Sequence, residues 1–156
     1  MTHELHGVPR PARLRDVRQI VEVINYHASK GLMLPRSLSQ VYEGVRDYQV
    51  AEADGRIVGC GALSITWEDL AEIRSVAVRE GYEGSGIGTR IVEALLEDAG
   101  HLDLERLFLL TYQTGFFERF GFRRTEKDAL PHKVWSDCVN CIKFPDCDEI
   151  AMIREV

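Results

Sequence analysis

Three glycines at alternate positions make residues 82–89 the stretch of this chain best suited to bind an anion. The sequence there is Tyr-Glu-Gly-Ser-Gly-Ile-Gly-Thr, and it separates a strand-like apolar run from a run with apolar residues at helical spacing. The first N–H groups of a helix lack partners within the helix and carry partial positive charge, so glycines just before them let a phosphate approach closely. We therefore predict an anion site at the start of a helix. A glycine-rich turn before a surface helix is the alternative interpretation.

The glycine spacing excludes two common phosphate loops. Dinucleotide-binding folds use G-x-G-x-x-G at the start of a parallel sheet, and nucleoside triphosphatases use G-x-x-x-x-G-K-[ST]. Here the loop follows a region rich in hairpin signals, and no Lys follows Gly88. The anion is therefore expected to belong to another class of ligand.

Two charged residues, Glu72 and Arg74, interrupt the apolar run immediately before this loop. Residues two apart on a strand point to the same face, so the two side chains are expected to lie together. A charged pair in such a run indicates a functional site next to the anion site. A solvated ion pair is the alternative interpretation.

A second constellation of reactive side chains stands at about 130–148. It combines a Cys-x-x-Cys pair, a further cysteine and an upstream histidine: His132, Cys138, Cys141 and Cys147. Three Cys and one His are enough for a tetrahedral zinc site, but free thiols in a reducing compartment are the simpler interpretation because Cys147 stands alone. We therefore assign no metal ligand. Cys60, in an apolar run, is predicted to be a small core residue.

The elements that would position these groups follow from turn signals and apolar periodicity. Asp54-Gly55 predicts a tight hairpin turn, and Ser37 or Ser39 is expected to cap a helix. Val17, Ile20, Val21 and Ile24 form the apolar stripe of the first helix. The predicted order is an extended segment at 8–13, helices at 17–30 and 37–46, strands at 48–53, 56–65 and 71–78, a helix at 86–100, a strand at 106–111, a short phenylalanine-rich helix ending at Gly121, an extended stretch from Phe122, and a last strand at 149–153.

Length and composition describe an ordinary globular chain, expected to form one domain over its 156 residues. The net charge of −6 argues against a general nucleic-acid binder, which needs a surplus of Lys and Arg. No apolar run approaches the roughly 20 residues of a membrane span, and the first residues have no hydrophobic stretch typical of a secretory signal. We expect no membrane partner and a cytoplasmic location.

This order of elements resembles that of the GNAT acetyltransferase superfamily. Residues 83–88 resemble its [QR]-x-x-G-x-[GA] loop, and residues 116–122, Phe-Phe-Glu-Arg-Phe-Gly-Phe, resemble its Phe-Tyr-x-x-x-Gly-Phe segment. The resemblance implies an α/β (α+β) fold in which helices flank a mixed central sheet with splayed strands. It departs at Glu83, where the family usually has Gln or Arg, and at Phe117, where it often has Tyr.

The resemblance also implies acetyl-CoA as co-substrate. Backbone groups of Val76 and Val78 would then pair with its pantetheine arm, since a splayed strand leaves backbone groups that need a partner. The remaining residues implied to contact the cofactor are Glu83, Gly84, Ser85, Gly86, Ile87, Gly88, Thr89 and Phe117.

Acetyl transfer to an amine requires a base for the amine proton and a proton for the departing thiolate. We expect Glu72 to be the general base, directly or through a water. Tyr112 is the candidate general acid, with core packing as its alternative, and a thiolate can also leave without an acid. Arg74 is expected to hold an acidic substrate.

Within the superfamily, the segments 31–37, 71–78 and 110–114 resemble the acetyltransferase domain of N-acetylglutamate synthases, and most closely short bacterial forms that lack the kinase-like domain. This resemblance implies that Arg36 binds a carboxylate of L-glutamate, in arginine biosynthesis. An exposed loop arginine is the alternative for Arg36. For the whole chain, the alternatives are acetylation of glutamine or another small amine, and a non-catalytic acyl-CoA-binding regulator. The sequence leaves open whether the chain forms a homodimer.

Overall fold

Seven strands form one mixed sheet in the described part of the chain, residues 7–130 and 149–156 of the computed structural model. The strands are β1 (Pro9–Pro11), β2 (Tyr48–Ala53), β3 (Arg56–Trp67), β4 (Leu70–Val78), β5 (Arg106–Thr111), β6 (Arg123–Arg124) and β7 (Ile150–Glu155). The helices are α1 (Val17–Ala28), α2 (Leu38–Glu43), α3 (Ile87–His101) and α4 (Thr114–Glu118). The sheet order is β1-β2-β3-β4-β5-β7-β6, and the β4–β5 contact is parallel.

The order of elements agrees with the sequence prediction, whereas several boundaries differ; α1 ends at Ala28 rather than at residue 30, and β7 continues to Glu155 rather than ending at residue 153. The second predicted helix is shorter, because Gly44 ends α2 and the chain continues as a 3-10 turn at Val45–Asp47. Its start is as predicted: the hydroxyl of Ser37 accepts the N–H of Gln40 at 3.1 Å. Strand β3 extends two residues further than predicted, to Trp67.

Different helices pack on the two faces of the sheet. Helix α3 covers one face with Ile87, Ile91, Val92, Leu95 and Ala99. Helices α1 and α2 cover the other face with Val17, Ile20, Val23, Ile24 and Val41. The predicted apolar stripe of α1 is correct at Val17, Ile20 and Ile24. Val23 is buried in addition, whereas the predicted Val21 is only partly buried.

Two glycines of β3 let α3 approach the sheet unusually closely. A Cβ added at Gly61 would lie 2.7 Å from Cγ2 of Ile91, and one added at Gly59 would lie 2.6 Å from Cγ2 of Ile87. Real Cβ atoms do not occupy such positions, so any side chain here would push the helix outward. The close contact fixes the start of α3, which follows the glycine loop, against the centre of the sheet.

Strands β4 and β5 separate after a short parallel contact. They pair at Leu70, Ala71 and Glu72 of β4, and the pairing stops there among the described residues. Beyond this point β4 continues along β3 to Val78, while β5 continues along β7 to Thr111. The splayed strands implied by the sequence are therefore confirmed, and they open a gap in the middle of the sheet.

A β-bulge at Ser75 accompanies this separation. Cys60 of β3 pairs with Ala77 of β4, and Ala62 pairs with Arg74. The chain therefore advances by two residues on β3 and by three on β4, so β4 has one extra residue here. Ser75 has φ +58°, a conformation that non-glycine residues rarely adopt in a strand. Because the bulge shifts the alternation by one residue, both Ile73 and the downstream Val76 pack on the α3 side.

Replacement of Gly61 by Ala should destabilise the fold by about 1–3 kcal/mol, because the methyl group overlaps the rigid β-branched side chain of Ile91. The free energy of unfolding in urea measures this loss. Gly100→Ala is the matched control, since a Cβ there meets no heavy atom of the described residues within 4 Å and Ala is the better helix former. Equal stability of Gly61→Ala and wild type would contradict the close packing.

Candidate active site

The gap between β4 and β5 opens into a cleft of about 620 Å3. The glycine loop after β4 forms one end, and the segment that links α1 to α2 lines the cleft with Leu32, Met33, Leu34 and Arg36. Most of the residues predicted for the site line this cleft: Arg36, Glu72, Arg74, Val76, Val78, Glu83, Gly84, Gly86, Gly88, Thr89, Tyr112 and Phe117.

Two predicted residues use their side chains elsewhere. The side chain of Ile87 is buried over Gly59 in the core beneath α3. The hydroxyl of Ser85 donates to the carbonyl of Tyr82 within the loop. Any contact of these residues with an anion would therefore run through their backbone N–H groups.

The glycine loop presents the start of α3 to the cleft. Gly86 precedes the helix in the left-handed region, with φ +87°. The first helical hydrogen bond runs from the N–H of Arg90 to the carbonyl of Gly86, at 3.1 Å. The N–H groups of residues 87–89 therefore precede the hydrogen bonds of the helix itself, and such groups attract an anion.

Glu83 is exposed at this end of the cleft and lies near a cation. Lys30 follows α1 and lies 4.5 Å from the centre of the Tyr26 ring. The Tyr26 hydroxyl raises the pKa of Lys30, and the carboxylates of Glu80 and Glu83 add to that shift. Lys30 and Glu83 therefore place opposite charges at this end of the cleft.

An ion pair occupies the other end of the cleft. Glu72 and Arg74 approach to 3.6 Å, with about a fifth of the Glu72 side chain and a third of the Arg74 side chain exposed. The two side chains share a face, as the sequence predicts, and they line the cleft while they pair. The alternative interpretation, an ion pair, is therefore correct for the contact itself, and the functional role of the two residues stays a prediction.

Further polar side chains lie beneath this pair. Burial raises the pKa of Asp47, and the nearby guanidinium of Arg74 opposes that shift. Burial also raises the pKa of Tyr48, while Ser75 at the bulge, with Arg36 and Arg74, opposes it. The charge of Arg74 therefore acts on two carboxylates, those of Glu72 and Asp47.

Arg36 is fixed at the cleft through its backbone. The side-chain amide of Asn25 on α1 donates to the carbonyl of Arg36 and accepts its N–H, both at 3.0 Å. The sequence interpretation missed Asn25, although a polar residue next to the apolar stripe of a helix was the available signal. It also missed His27, which lines the cleft from the same helix.

The aromatic helix α4 closes the cleft beside the glycine loop. Phe116 and Phe117 pack edge to face, with ring centres 4.9 Å apart. A Cβ at Gly88 would be 3.6 Å from the Phe116 ring, so α4 rests on the first turn of α3. Tyr112, just before α4, is 37% exposed at the cleft.

The remaining cysteines and histidine of the sequence analysis, His132, Cys138, Cys141 and Cys147, lie outside the described residues. Cys60 is a buried core residue, as predicted, and burial raises the pKa of its thiol to about 12. Within 7–130 and 149–156, no group of His, Cys, Asp and Glu is arranged to hold a metal ion. No helix in the same ranges is long and apolar enough to span a membrane.

The family follows from this geometry and from sequence comparison. A splayed sheet that ends at a glycine loop is what the resemblance to GNAT acetyltransferases implied. Residues 19–122 match the acetyltransferase (GNAT) family, and the chain belongs to it. It is an N-acetyltransferase, and its acyl donor is acetyl-CoA.

Two named acetyltransferases are similar to this chain over most of its length. The chain is 42% identical over 148 residues to an uncharacterised N-acetyltransferase of Chlorobaculum tepidum, covering 93% of this chain and 94% of that protein. It is 42% identical over 133 residues to an amino-acid acetyltransferase of Mycobacterium tuberculosis, covering 83% of this chain and 76% of that protein.

Solved structures agree with the fold. A Mycobacterium tuberculosis protein in complex with CoA and NLQ superposes with a TM-score of 0.82 at 36% identity, covering 96% of this chain and 99% of that one. N-acetylglutamate synthase from Neisseria gonorrhoeae, complexed with coenzyme A and N-acetyl-glutamate, gives a TM-score of 0.85 at 25% identity. That match covers 94% of this chain but only 34% of the gonococcal chain.

Replacement of Gly86 by Ala should raise KM for acetyl-CoA by about 10-fold, or about 1.4 kcal/mol. An L-residue in the left-handed region costs about 1–2 kcal/mol, and relief of that strain would turn the loop away from the cleft. Steady-state kinetics with varied acetyl-CoA measure the change.

Gly55→Ala is the control for Gly86→Ala. Gly55 has φ +78°, and its added Cβ meets no heavy atom of the described residues within 4 Å. It carries the same strain in the hairpin turn between β2 and β3, outside residues 82–89, although Asp54 of that turn accepts a hydrogen bond from Tyr82. The same KM in both variants would mean that Gly86 has no special part in binding acetyl-CoA.

Proposed function

We propose that this enzyme transfers the acetyl group of acetyl-CoA to the α-amino group of L-glutamate, the reaction of an N-acetylglutamate synthase. The observation that carries the proposal is the content of one cleft: an anion-binding loop at one end, and a carboxylate with two guanidinium groups, Glu72, Arg74 and Arg36, at the other. The proposed context is arginine biosynthesis in the cytoplasm.

The proposed position of acetyl-CoA follows the gap. The diphosphate binds the N–H groups at the start of α3, within residues 83–89, because these donors and the helix dipole favour negative charge. The pantetheine arm then runs between β4 and β5 and pairs with backbone groups of Val76 and Val78, which lie on the open edge of β4. Phe117 lines the same path.

The proposed chemistry is direct transfer with balanced protons. Glu72 accepts a proton from the α-ammonium group, directly or through a water, and leaves a nucleophilic amine. The amine nitrogen attacks the thioester carbon, and the C–S bond breaks as the amide forms. Tyr112, at the end of β5, donates a proton to the thiolate of CoA, and the second proton of the nitrogen restores the Tyr112 hydroxyl. The proton held by Glu72 is released to solvent.

Recognition of glutamate is assigned to the two arginines. The planar guanidinium of Arg36 suits a carboxylate, and the Asn25 contacts hold the Arg36 backbone in place. Arg74 contributes positive charge next to Glu72, so that a substrate with two carboxylates meets a compensated site. The likeness to the gonococcal enzyme complexed with N-acetyl-glutamate supports this acceptor.

A thiol-release assay across amino acids tests the acceptor. We expect kcat/KM for L-glutamate to exceed that for L-glutamine by about 10-fold to 100-fold, because a charge-assisted hydrogen bond from Arg36 contributes about 1.5–3 kcal/mol. In Arg36→Ala this preference should fall to a few-fold, with KM for acetyl-CoA unchanged.

Arg18→Ala removes an exposed arginine from α1 and controls for loss of charge. A preference for glutamine or another small amine in the wild-type enzyme would overturn glutamate as the acceptor. An equal preference for glutamate in wild type and Arg36→Ala would remove the role given to Arg36.

Replacement of Glu72 by Gln should lower kcat/KM for the acceptor by about 10²-fold to 10⁴-fold, the usual contribution of a general base. KM for acetyl-CoA should stay close to wild type because Glu72 lies at the far end from the glycine loop. Glu68→Gln, an exposed change in the β3–β4 turn, is the control. Retention of full kcat/KM by Glu72→Gln across the pH range would exclude Glu72 as the base.

A further inference from the structure

The carbonyl of Val78 points into the gap between β4 and β5. The N–H of Arg79 donates to the carbonyl oxygen of Val58 on β3 at 2.7 Å. In a trans peptide the C=O and the following N–H point in opposite directions, so the Val78 carbonyl faces away from β3. In a continuous parallel sheet β5 would take this carbonyl, but here the strands have separated.

His27 of α1 takes the place of the missing strand. Its Nε2 atom lies 2.6 Å from the carbonyl oxygen of Val78. A carbonyl oxygen only accepts, so Nε2 carries the hydrogen. Both the neutral Nε2–H tautomer and the protonated ring have that hydrogen, and the bond forms in either state.

The backbone of His27 holds the start of the segment that links α1 to α2. Its carbonyl accepts the N–H of Lys30 at 3.1 Å and the N–H of Leu32 at 3.2 Å. Leu32 begins the segment that carries Arg36 along the cleft. A single residue therefore joins the segment proposed to bind the acceptor to the last peptide of β4.

We propose that His27 is a positioning residue for acetyl-CoA, which fixes the Val78–Arg79 peptide at the point where β4 enters the glycine loop. In a strand the N–H and C=O of one residue point to the same edge, so the N–H of Val78 also faces the gap. With its carbonyl held by His27, Val78 presents this N–H as the donor to the pantetheine arm.

Loss of the histidine donor leaves the carbonyl of Val78 to turn or to recruit water. Either response alters the peptide that leads into the loop and places a competing group where the pantetheine arm would lie. The consequence falls on CoA binding rather than on the acceptor. The proposal depends on the proposed path of pantetheine, but not on the identity of the acceptor.

Titration calorimetry with CoA tests the proposal on the intact chain. We expect the Kd for CoA to rise about 10-fold in His27→Ala and in His27→Phe, which keeps a ring but lacks the donor; 10-fold corresponds to about 1.4 kcal/mol. His27→Gln restores an N–H donor and should return Kd to within about threefold of wild type. His101→Ala, at the exposed end of α3, is the control with the same change.

The comparison of Gln with Phe decides the outcome even if His27→Ala fails to fold. Tighter CoA binding by His27→Gln than by His27→Phe supports the positioning role, as does a KM for acetyl-CoA that rises while KM for the acceptor does not. Equal Kd values in the Gln and Phe variants, or Kd values in all variants within twofold of wild type, would overturn it. A failure of glutamate as substrate would leave these Kd values unaffected.

Discussion

The separation of β4 from β5 after Glu72 is the constraint on which the rest of this structure depends. Two strands that part leave backbone donors and acceptors on their inner edges, and a buried group of this kind is costly without a partner. The fold keeps β4 bound to β3 throughout, so only one edge of β4 is open. That edge is where a substrate with amide groups of its own can pair.

The bulge at Ser75 shapes this open edge. Without it, strict alternation would place Ile73 and Val76 on opposite faces, whereas both lie on the α3 side. The thiol of Cys60 on β3 reaches the carbonyl of Ser75 at 3.4 Å and holds the bulge from the α1 side. The close contact of α3 with Gly59 and Gly61 supports the other side. The open edge of β4 is thus supported from both faces of the sheet.

The amino-acid sequence predicted the elements well because their signals are local. Alternating apolar residues, the Asp54-Gly55 turn and the glycine loop each depend on neighbours within a few residues, and they place most of the cleft. The bulge was not predicted, because an alternation of apolar residues with a period of two does not indicate where an extra residue is inserted. Asn25 and His27 were missed because their partners, Arg36 and Val78, are 11 and 51 residues away.

The charges around Arg74 decide which of the two cleft arginines, Arg36 or Arg74, is the better test of substrate recognition. Arg74 pairs with Glu72 at 3.6 Å and its charge also opposes the raised pKa of Asp47, so it stabilises two carboxylates of the protein. Its removal would take a cation away from both partly buried carboxylates, and a loss of activity would mix substrate recognition with this effect. Arg36 reaches the cleft from a segment whose backbone is held by Asn25. For this reason the recognition of a carboxylate substrate is better read from Arg36 than from Arg74.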